Sequence, residues 1–256
     1  MTDIHSHLAW GIDDGIQNKE DAIKALKTAK AHGTNIIAST PHFIPGRSDV
    51  EIIAARQEEL RELAKNYGIE IHNGAELFMN RASVEAIANG FLRPYENTNY
   101  QLCEYDVRRD LHDIEYFDDP LYEMQVRNIV PVIAHVERYF KNGLDLEIVQ
   151  DWFDKGFVIQ VNRTSLTGEH GKIMQKNANK LIQAGLAHIV ASDAHTPETG
   201  RAPILDDAWN LIANQYGEET ADLLCSENPT RVVSGQRPKR LKAKKKKKRI
   251  LFFFNH

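Results

Sequence analysis

Short apolar runs alternate with amphipathic segments along most of this chain. The runs predict strands at residues 3–7, 35–40, 69–76, 100–104, 131–135, 157–162 and 187–193. Apolar residues at helical spacing predict helices at residues 19–32, 49–67, 82–88, 119–128, 144–155, 172–184 and 204–216. A helix after each strand is typical of parallel pairing. The pattern therefore predicts one α/β domain, and 256 residues is a normal length for a barrel of this class.

Polar side chains follow the predicted strands where each strand ends. The candidates for a shared site are His5, His7, Asp14, His42, Glu76, Glu104, His135, Asp193 and His195. His5 and His7 are two positions apart on the first strand, so both imidazoles project from the same face. In a parallel barrel the loops after the strands converge at one end, so we expect these side chains to form one cluster. We expect the remaining histidines to be surface or core residues: His32, His72, His112, His170, His188 and His256.

The composition narrows the setting of the protein. Its two cysteines, Cys103 and Cys225, do not make a disulfide framework, and no run of 18 apolar residues could cross a bilayer. The N-terminus lacks a basic region followed by an apolar stretch, so we expect no secretory signal. Together these features favour a cytoplasmic protein.

Charge is unevenly distributed along the chain. The formal net charge is −4, yet Lys and Arg dominate residues 239–249. We therefore divide the chain into a domain at residues 1–236 and a basic tail at residues 237–256, which we expect to be disordered. Apolar residues 250–254 follow the lysines, which favours a weak contact with an acidic membrane surface at its inner face. A solvated terminal segment without a role is the alternative.

The types of the candidate residues indicate a metal centre. Mixed imidazole and carboxylate ligands suit Mn²⁺, Fe²⁺, Zn²⁺ or similar ions, and the lack of cysteine ligands argues against a closed structural zinc site. Nine candidates exceed what one ion can use, so we expect two or three ions. Neighbouring ions about 3.5–4 Å apart would lower the pKa of a bridging water from about 15.7 towards about 7, and the hydroxide could attack phosphorus. The chain has no glycine-rich nucleotide loop, so we predict hydrolysis.

Two arginines indicate the kind of bond that is hydrolysed. Arg138 and Arg201 each follow a strand that carries candidate ligands. A guanidinium group stays charged and matches phosphate oxygens in a fork, so two of them beside a metal cluster favour a phosphoester over a neutral amide. An ion pair between each arginine and a nearby carboxylate is the alternative.

Eight short segments of the chain together resemble the polymerase-and-histidinol-phosphatase (PHP) superfamily. In chain order they are Asp3-Ile4-His5-Ser6-His7, Gly11-Ile12-Asp13-Asp14-Gly15, Thr40-Pro41-His42, Gly74-Ala75-Glu76, Ala134-His135-Val136-Glu137-Arg138-Tyr139, Gln160-Val161-Asn162, Ser165-Leu166-Thr167-Gly168 and Ala191-Ser192-Asp193-Ala194-His195. More narrowly, the chain resembles the bacterial manganese-dependent tyrosine-protein phosphatases of capsule and exopolysaccharide operons. The resemblance runs from Met1 to about Val233.

This resemblance implies a distorted (β/α)₇ TIM-like barrel that holds three manganese ions, with Fe, Zn, Mg or Co as other candidate metals. It makes the nine candidate residues named above the metal ligands, and it makes Arg138 and Arg201 the phosphate-binding residues. The implied substrate is the phosphotyrosine-rich tail of a membrane-associated bacterial tyrosine autokinase that regulates capsule or exopolysaccharide synthesis. The resemblance does not extend to the basic tail, and we name no general acid and no oligomeric state.

Three alternatives compete with this interpretation. Cys103 and Arg109 have the C-x₅-R spacing of cysteine-dependent tyrosine phosphatases, but no glycine lies between them, and Glu104 and Asp106 would raise the pKa of the thiol. A small-molecule phosphatase of the histidinol-phosphate type remains an alternative because it shares the ligand scaffold.

The last alternative is a non-catalytic module that binds through its basic tail. A lysine tract without interleaved aromatic residues gives only salt-sensitive attraction, so we expect no specific nucleic-acid partner.

Overall fold

The computed structural model describes residues 1–241. Nine strands are present in this part of the chain: β1 Thr2–Asp3, β2 Ile36–Ser39, β3 His42–Phe43, β4 Glu70–Asn73, β5 Glu76–Phe78, β6 Tyr100–Glu104, β7 Val130–Ile133, β8 Val158–Asn162 and β9 Ile189–Ala191. The α-helices are α1 Lys19–Ala31, α2 Val50–Lys65, α3 Arg81–Ala88, α4 Asp118–Val126, α5 Leu146–Asp154, α6 Arg163–Thr167, α7 Lys172–Ala184, α8 Asp206–Tyr216, α9 Glu218–Asp222 and α10 Asn228–Val233. Short 3₁₀ turns cover Leu111–Asp113 and Val136–Tyr139, and a π-helical turn covers Leu223–Glu227.

The strands pair in parallel, so the predicted α/β class is confirmed. One sheet has the order β1-β2-β4, and the other has the order β3-β5-β6-β7-β8-β9. Only Thr40 and Pro41 separate β2 from β3, and only Gly74 and Ala75 separate β4 from β5. The two sheets are therefore successive parts of the same chain segments, interrupted where a proline cannot donate to the ladder.

The first and last strands also meet, although no continuous ladder joins them. Asp193 N donates to His5 O at 2.9 Å, and His7 N donates to Ala194 O at 2.8 Å. Ser6 and Ala194 form an isolated parallel bridge between these two bonds. The strand order thus returns to its starting point, which gives the distorted seven-segment ring expected from the sequence.

Helices cover the outside of the ring because their apolar stripes match the outward positions of the strands. In α1 the buried residues are Ala22, Ala25, Leu26 and Ala29, which share one helical face. Asn18 begins this helix by accepting a hydrogen bond from Asp21 N at 2.9 Å. The helix ends at Ala31, one residue before the predicted end, and Gly33 follows with a φ of +77° in the left-handed region.

Some elements differ from the sequence prediction. The strand expected at residues 69–76 divides into β4 and β5, and the first strand is formally shorter than residues 3–7. The short helices α6, α9 and α10 were not predicted, because segments of five or six residues carry too few turns to show a period. None of the helices in residues 1–241 is both long and apolar enough to cross a membrane.

Residues 237–241, assigned above to the basic tail, lie against the barrel. The Asn228 side chain donates to Lys239 O at 2.8 Å and accepts from Lys239 N at 2.7 Å. The Arg240 guanidinium lies 4.3 Å from the centroid of the Phe153 ring. Residues 242–256, with most of the lysine run and its apolar end, lie outside the described residues.

Candidate metal centre

The structure brings all nine predicted side chains together at or beyond the ends of β1, β2, β4, β6, β7 and β9, where His42 and Glu76 begin the short strands β3 and β5. They fall into four groups, and within each group the nitrogen and oxygen atoms lie within 4.8 Å of one another. The groups are His7, Asp14, His42 and His195; His5, Glu76 and His135; His5, His7 and Asp193; and His42, Glu76 and Glu104. Shared members join the groups into one cluster. Asp14 is its outermost member, with 69% of its side chain exposed.

Hydrogen bonds on the Nδ1 side orient the rings of His5 and His7. His5 Nδ1 lies 3.1 Å from Gln160 Oε1, and His7 Nδ1 lies 2.7 Å from Asp13 Oδ2. Both partners are acceptors, so they favour a proton on Nδ1 and leave the lone pair on Nε2. The two Nε2 atoms are 3.3 Å apart and face the same space. Histidines that bind metals are usually oriented by outer hydrogen bonds of this kind.

Several buried polar atoms of the cluster approach one another without forming hydrogen bonds. Glu76 Oε1 lies 3.1 Å from His5 Nε2 and 3.3 Å from His135 Nε2, yet it has no hydrogen-bond partner among residues 1–241. His42 Nδ1 likewise has no hydrogen-bond partner among these residues, although it lies 3.0 Å from Glu104 Oε1. Buried polar atoms are normally paired. Lone pairs that converge in this way fit a cation, and the mixed nitrogen and oxygen donors fit borderline divalent ions.

The pKa values of the two glutamates in the cluster are shifted in opposite directions. Burial works against ionisation of Glu76, but the neighbouring histidines outweigh it and hold the pKa of this carboxyl well below its usual value. Burial and the negative charge of Glu76 raise the pKa of Glu104 to about 6. A divalent cation beside both carboxylates would stabilise their ionised forms together.

Unusual backbone conformations aim two of the candidate ligands. His135 has a φ of 34° and Asp193 a φ of 55°, both in the left-handed region that residues other than glycine rarely adopt. Each lies two residues beyond the end of a strand, β7 or β9, and each turns its side chain into the cluster. Such conformations cost of order 1–3 kcal/mol and are concentrated at functional sites.

Arg138 and Arg201 both lie against the carboxylate of Asp193. Arg201 Nη2 is 2.6 Å from Asp193 Oδ1, and Arg138 Nη1 is 3.4 Å from Asp193 Oδ2. Their side chains are 32% and 20% exposed, so each guanidinium keeps a face towards solvent. The predicted phosphate-binding role and the ion-pair alternative are therefore compatible in this geometry, because a guanidinium has five donors.

The cluster opens into a cavity of about 330 Å³, within the size range of small-ligand sites. Six of the candidate ligands line it, namely Asp14, His42, Glu76, Glu104, His135 and Asp193, and Arg138 and Arg201 lie beside them. Phe78, Asp106, Val107 and Arg108 complete the lining. The cavity therefore combines cations suited to an anionic group with an apolar region at its edge.

Three residues that support the cluster were not singled out as functional by the sequence analysis. Asp13 holds His7, Gln160 accepts from His135 N at 3.0 Å, and Asn162 Nδ2 donates to Asp193 Oδ2 at 2.8 Å. Gln160 and Asn162 alternate on the buried strand β8. Two polar residues two positions apart in an apolar strand were the signal that could have identified them.

The C-x₅-R alternative finds no support in the structure. Cys103 is fully buried, and its Sγ lies 3.6 Å from Val132 O. Burial, with the charges of Glu76 and Glu104, raises the pKa of this thiol well above its usual value. A neutral buried thiol is a poor nucleophile.

The histidines expected to lie elsewhere do so wherever the structure describes them. His32, His72, His112, His170 and His188 belong to none of the four groups, and His256 lies outside the described residues. His188 is a core residue whose Nδ1 accepts a hydrogen bond from Ile159 N at 3.1 Å.

Comparisons with known proteins agree with this geometry. The chain is 30% identical over 245 residues to the tyrosine-protein phosphatase CpsB of Streptococcus pneumoniae. This match covers 92% of this chain and 99% of that protein. It is 29% identical over 258 residues to the tyrosine-protein phosphatase YwqE of Bacillus subtilis strain 168, covering 99% of this chain and 100% of that protein.

Solved structures and a family model lead to the same group. The fold matches a chain from the crystal structures of YwqE and CpsB, which are described as unique metal-dependent tyrosine phosphatases. The TM-score is 0.83 and the sequence identity 26%, and the match covers 94% of this chain and 97% of the other. A model described as capsular polysaccharide synthesis, CpsB/CapC, matches residues 1–234. The resemblance stated from the sequence is thereby confirmed, and the chain belongs to the CpsB/CapC family of capsular polysaccharide synthesis proteins.

Proposed function

We propose that this protein is a metal-dependent protein-tyrosine phosphatase that acts in capsule or exopolysaccharide synthesis. The observation that carries the proposal is the convergence of nine histidine and acidic side chains, among which buried atoms of Glu76, His42 and His195 have no hydrogen-bond partner in residues 1–241. Relatives that span nearly the whole chain carry the same activity in their names.

The nine clustered residues would hold two or three divalent ions, and we propose manganese as the metal. When bound, such ions polarise phosphoryl oxygens and lower the pKa of a coordinated water, which makes hydrolysis feasible at neutral pH. The outer residues Asp13 and Gln160 hold the rings of His7 and His5 so that their Nε2 atoms would be available to bind the ions. No side chain of the chain is assigned as a general acid, because a tyrosinate leaving group, with a pKa near 10, needs less protonation than an alkoxide.

Arg138 and Arg201 would bind the phosphate. Each already contacts Asp193, and this contact holds the guanidinium groups at the edge of the cluster before substrate arrives. A preorganised charge costs little reorganisation when the substrate binds. Exchanging either arginine for lysine would keep the charge but lose the fork geometry that fits two oxygens at once.

We further propose that the substrate is the phosphotyrosine-rich tail of a bacterial tyrosine autokinase, met at the cytoplasmic face of the membrane. The open mouth of the cavity supports a substrate presented on a peptide, since Asp14 and Arg201 at the edge are both accessible. The basic tail would add a weak contact with acidic lipids.

Metal removal and reconstitution provide the test. The protein is stripped with a chelator, and turnover of a phosphotyrosyl peptide is measured before and after addition of Mn²⁺, Fe²⁺, Zn²⁺, Mg²⁺ or Co²⁺ singly. We expect the stripped protein to lose activity and Mn²⁺ to restore it. Full activity in the stripped protein would contradict the proposal.

A second substrate separates the alternatives that the sequence left open. If kcat/KM is higher for histidinol phosphate than for the phosphotyrosyl peptide, the protein is a small-molecule phosphatase of the same fold. If the metal-loaded protein hydrolyses neither phosphoester, the result supports the alternative of a non-catalytic binding module. The decisive quantity is the ratio of the two kcat/KM values, because specificity is a difference in transition-state stabilisation.

A further inference from the structure

Phe78 is an aromatic side chain that the fold places among charged groups. It lies on β5 two residues after Glu76, so the two side chains share the face that points into the ring. Leu77 and Met79 occupy the opposite face, where they are 0% and 2% exposed and belong to the main apolar core. Phe78 is partly exposed and belongs to none of the apolar clusters found in residues 1–241.

The position of Phe78 in the strand register fixes its height in the cavity. It is aligned with Glu104 on β6, and it lies two residues beyond Glu76 towards the mouth. At about 3.3 Å per residue, its Cα is about 7 Å further out than that of Glu76. The phenyl ring therefore lines the cavity beyond Glu76 and beside Glu104, on the side of the candidate ligands that faces the mouth.

Val107 supplies a second apolar contact at the same cavity, and its loop is held in place. Lys141 Nζ donates to Val107 O and, at 3.1 Å, to Arg138 O, so one ammonium group ties the loop to the turn that carries the phosphate-binding arginine. Tyr105 N, at the base of the loop, donates to Tyr139 Oη at 3.2 Å. The separation between Val107 and Arg138 is therefore set by the fold.

We infer that Phe78 and Val107 form an apolar wall that binds the aryl ring of the substrate and selects aryl phosphate monoesters over alkyl ones. This inference rests on the proposed function and names its substrate class. An aryl ring begins one ester oxygen from the phosphorus and extends towards the mouth, where the wall lies. A phosphoserine side chain has a single carbon beyond that oxygen and presents little apolar surface to the wall. Covering a partly exposed phenyl ring with another ring is favourable both through burial and through ring packing.

Kinetics of the metal-loaded protein on paired substrates test the inference. The substrates are a phosphotyrosyl peptide and the same peptide with phosphoserine, and inorganic phosphate serves as a competitive inhibitor. For Phe78→Ala we expect kcat/KM on the phosphotyrosyl peptide to fall at least tenfold, equivalent to about 1.4 kcal/mol. The phosphoserine rate and the inhibition constant of phosphate should stay within twofold of wild type, because neither ligand contacts the wall.

Phe91→Ala is the matched control, since Phe91 is a partly buried phenylalanine stacked on Phe43 at 3.9 Å, and it does not line the cavity. Its substrate ratio should equal that of wild type. The inference is overturned if Phe78→Ala leaves the ratio unchanged, or if the rates on both peptides fall together with the affinity for phosphate. Should Phe78→Ala bind less metal than wild type, the ratio is measured for Phe78→Leu and Val107→Thr, and an unchanged ratio in both rejects the wall.

The wild-type protein separates failure of this inference from failure of the proposed function. Equal hydrolysis of the two peptides by wild type would leave a phosphatase without aryl selection. No hydrolysis of the phosphotyrosyl peptide by wild type would instead refute the proposed function itself.

Discussion

Replacing Asp13 by Asn should weaken metal binding although Asp13 is not among the candidate ligands. One carboxylate oxygen, Oδ2, lies 2.7 Å from His7 Nδ1 and accepts from His42 N at 2.8 Å. The other oxygen, Oδ1, accepts from Gly15 N at 2.9 Å. Asp13 therefore fixes the ring of one candidate ligand, the backbone of another and the turn between them.

The size of the effect follows from the donors around this carboxylate. An asparagine can place its oxygen towards His7 and His42 or towards Gly15, and in either orientation its NH₂ group faces at least one N–H donor. A lost or opposed buried hydrogen bond costs about 1–3 kcal/mol. Loss of the group that orients a metal-binding histidine typically lowers metal affinity about 10–100-fold, or about 1.4–2.7 kcal/mol. The two figures agree, so we expect Asp13→Asn to bind Mn²⁺ about 10–100-fold more weakly.

Calorimetric titration of the stripped protein with Mn²⁺ measures this change directly. Asp110→Asn is a matched control, because the Asp110 carboxylate accepts from His112 N at 3.1 Å and from Lys141 N at 2.8 Å, and its Oδ1 lies 2.6 Å from His112 Nδ1. It has the same kind of partners but lies outside the cluster, so its Mn²⁺ affinity should equal that of wild type. An affinity of Asp13→Asn within twofold of wild type would refute the reasoning.

Three further predictions concern other parts of the molecule. Cys103→Ser should keep wild-type kcat/KM on a phosphotyrosyl peptide, because the buried thiol takes no part in the reaction; a loss of several orders of magnitude with metal still bound would contradict this. Gly15→Ala should lower kcat/KM at least tenfold, because the added Cβ would lie 2.4 Å from both Cβ and O of His7; the metal content of the variant shows whether the cluster is displaced, and unchanged activity would disprove it. Burial and nearby arginines lower the pKa of His188 from 6.5 to about 4. The unfolded state then binds the proton more tightly than the folded state. This residue should therefore lower the free energy of unfolding by about 3 kcal/mol as the pH falls from about 6.5 to 4. Urea unfolding should show a weaker acid dependence for His188→Asn, whose side-chain oxygen can still accept from Ile159 N; equal pH dependence of both proteins would exclude the effect.

The location of the cluster could be predicted from the sequence because parallel strands bring their C-terminal ends to one edge. His42, Glu76 and Glu104 are far apart in the chain, yet each comes after a strand-like apolar run, and the fold class makes them neighbours. The pattern of apolar runs is a property of each segment alone, so it survives without knowledge of the loops. This is why the cluster was predictable while its supporting residues were not.

The choice between Asp13 and Asp14 shows where the sequence loses information. The two residues are adjacent in a turn, and a turn has no period that says which side chain points inward. In the structure Asp14 lies 3.2 Å from His42 Nε2 at the mouth, while Asp13 supports His7 from behind. The packing of Gly15 against His7 and the hydrogen bond from His42 N to Asp13 set the arrangement, and both contacts are tertiary.

Phe78 was missed for a different reason. An apolar residue in a short strand is normally assigned to the core, and its neighbours Leu77 and Met79 do lie there. Its exposure depends on the cavity that the other strands enclose, which no local pattern reveals. The left-handed conformations of His135 and Asp193 are equally invisible in the sequence, because neither residue is a glycine.

The junction between the first and last strands is made by the backbone of the same residues whose side chains converge. His5 O, His7 N and the amide of Asp193 close the ring, while the imidazoles and the carboxylate of these residues face one another inside it. Ions held by this cluster, as proposed, would link ion occupancy to ring closure, and drawing the side chains together would also protect the amide protons of His7 and Asp193 from solvent exchange. A cell short of the cation would lose folded protein as well as active enzyme.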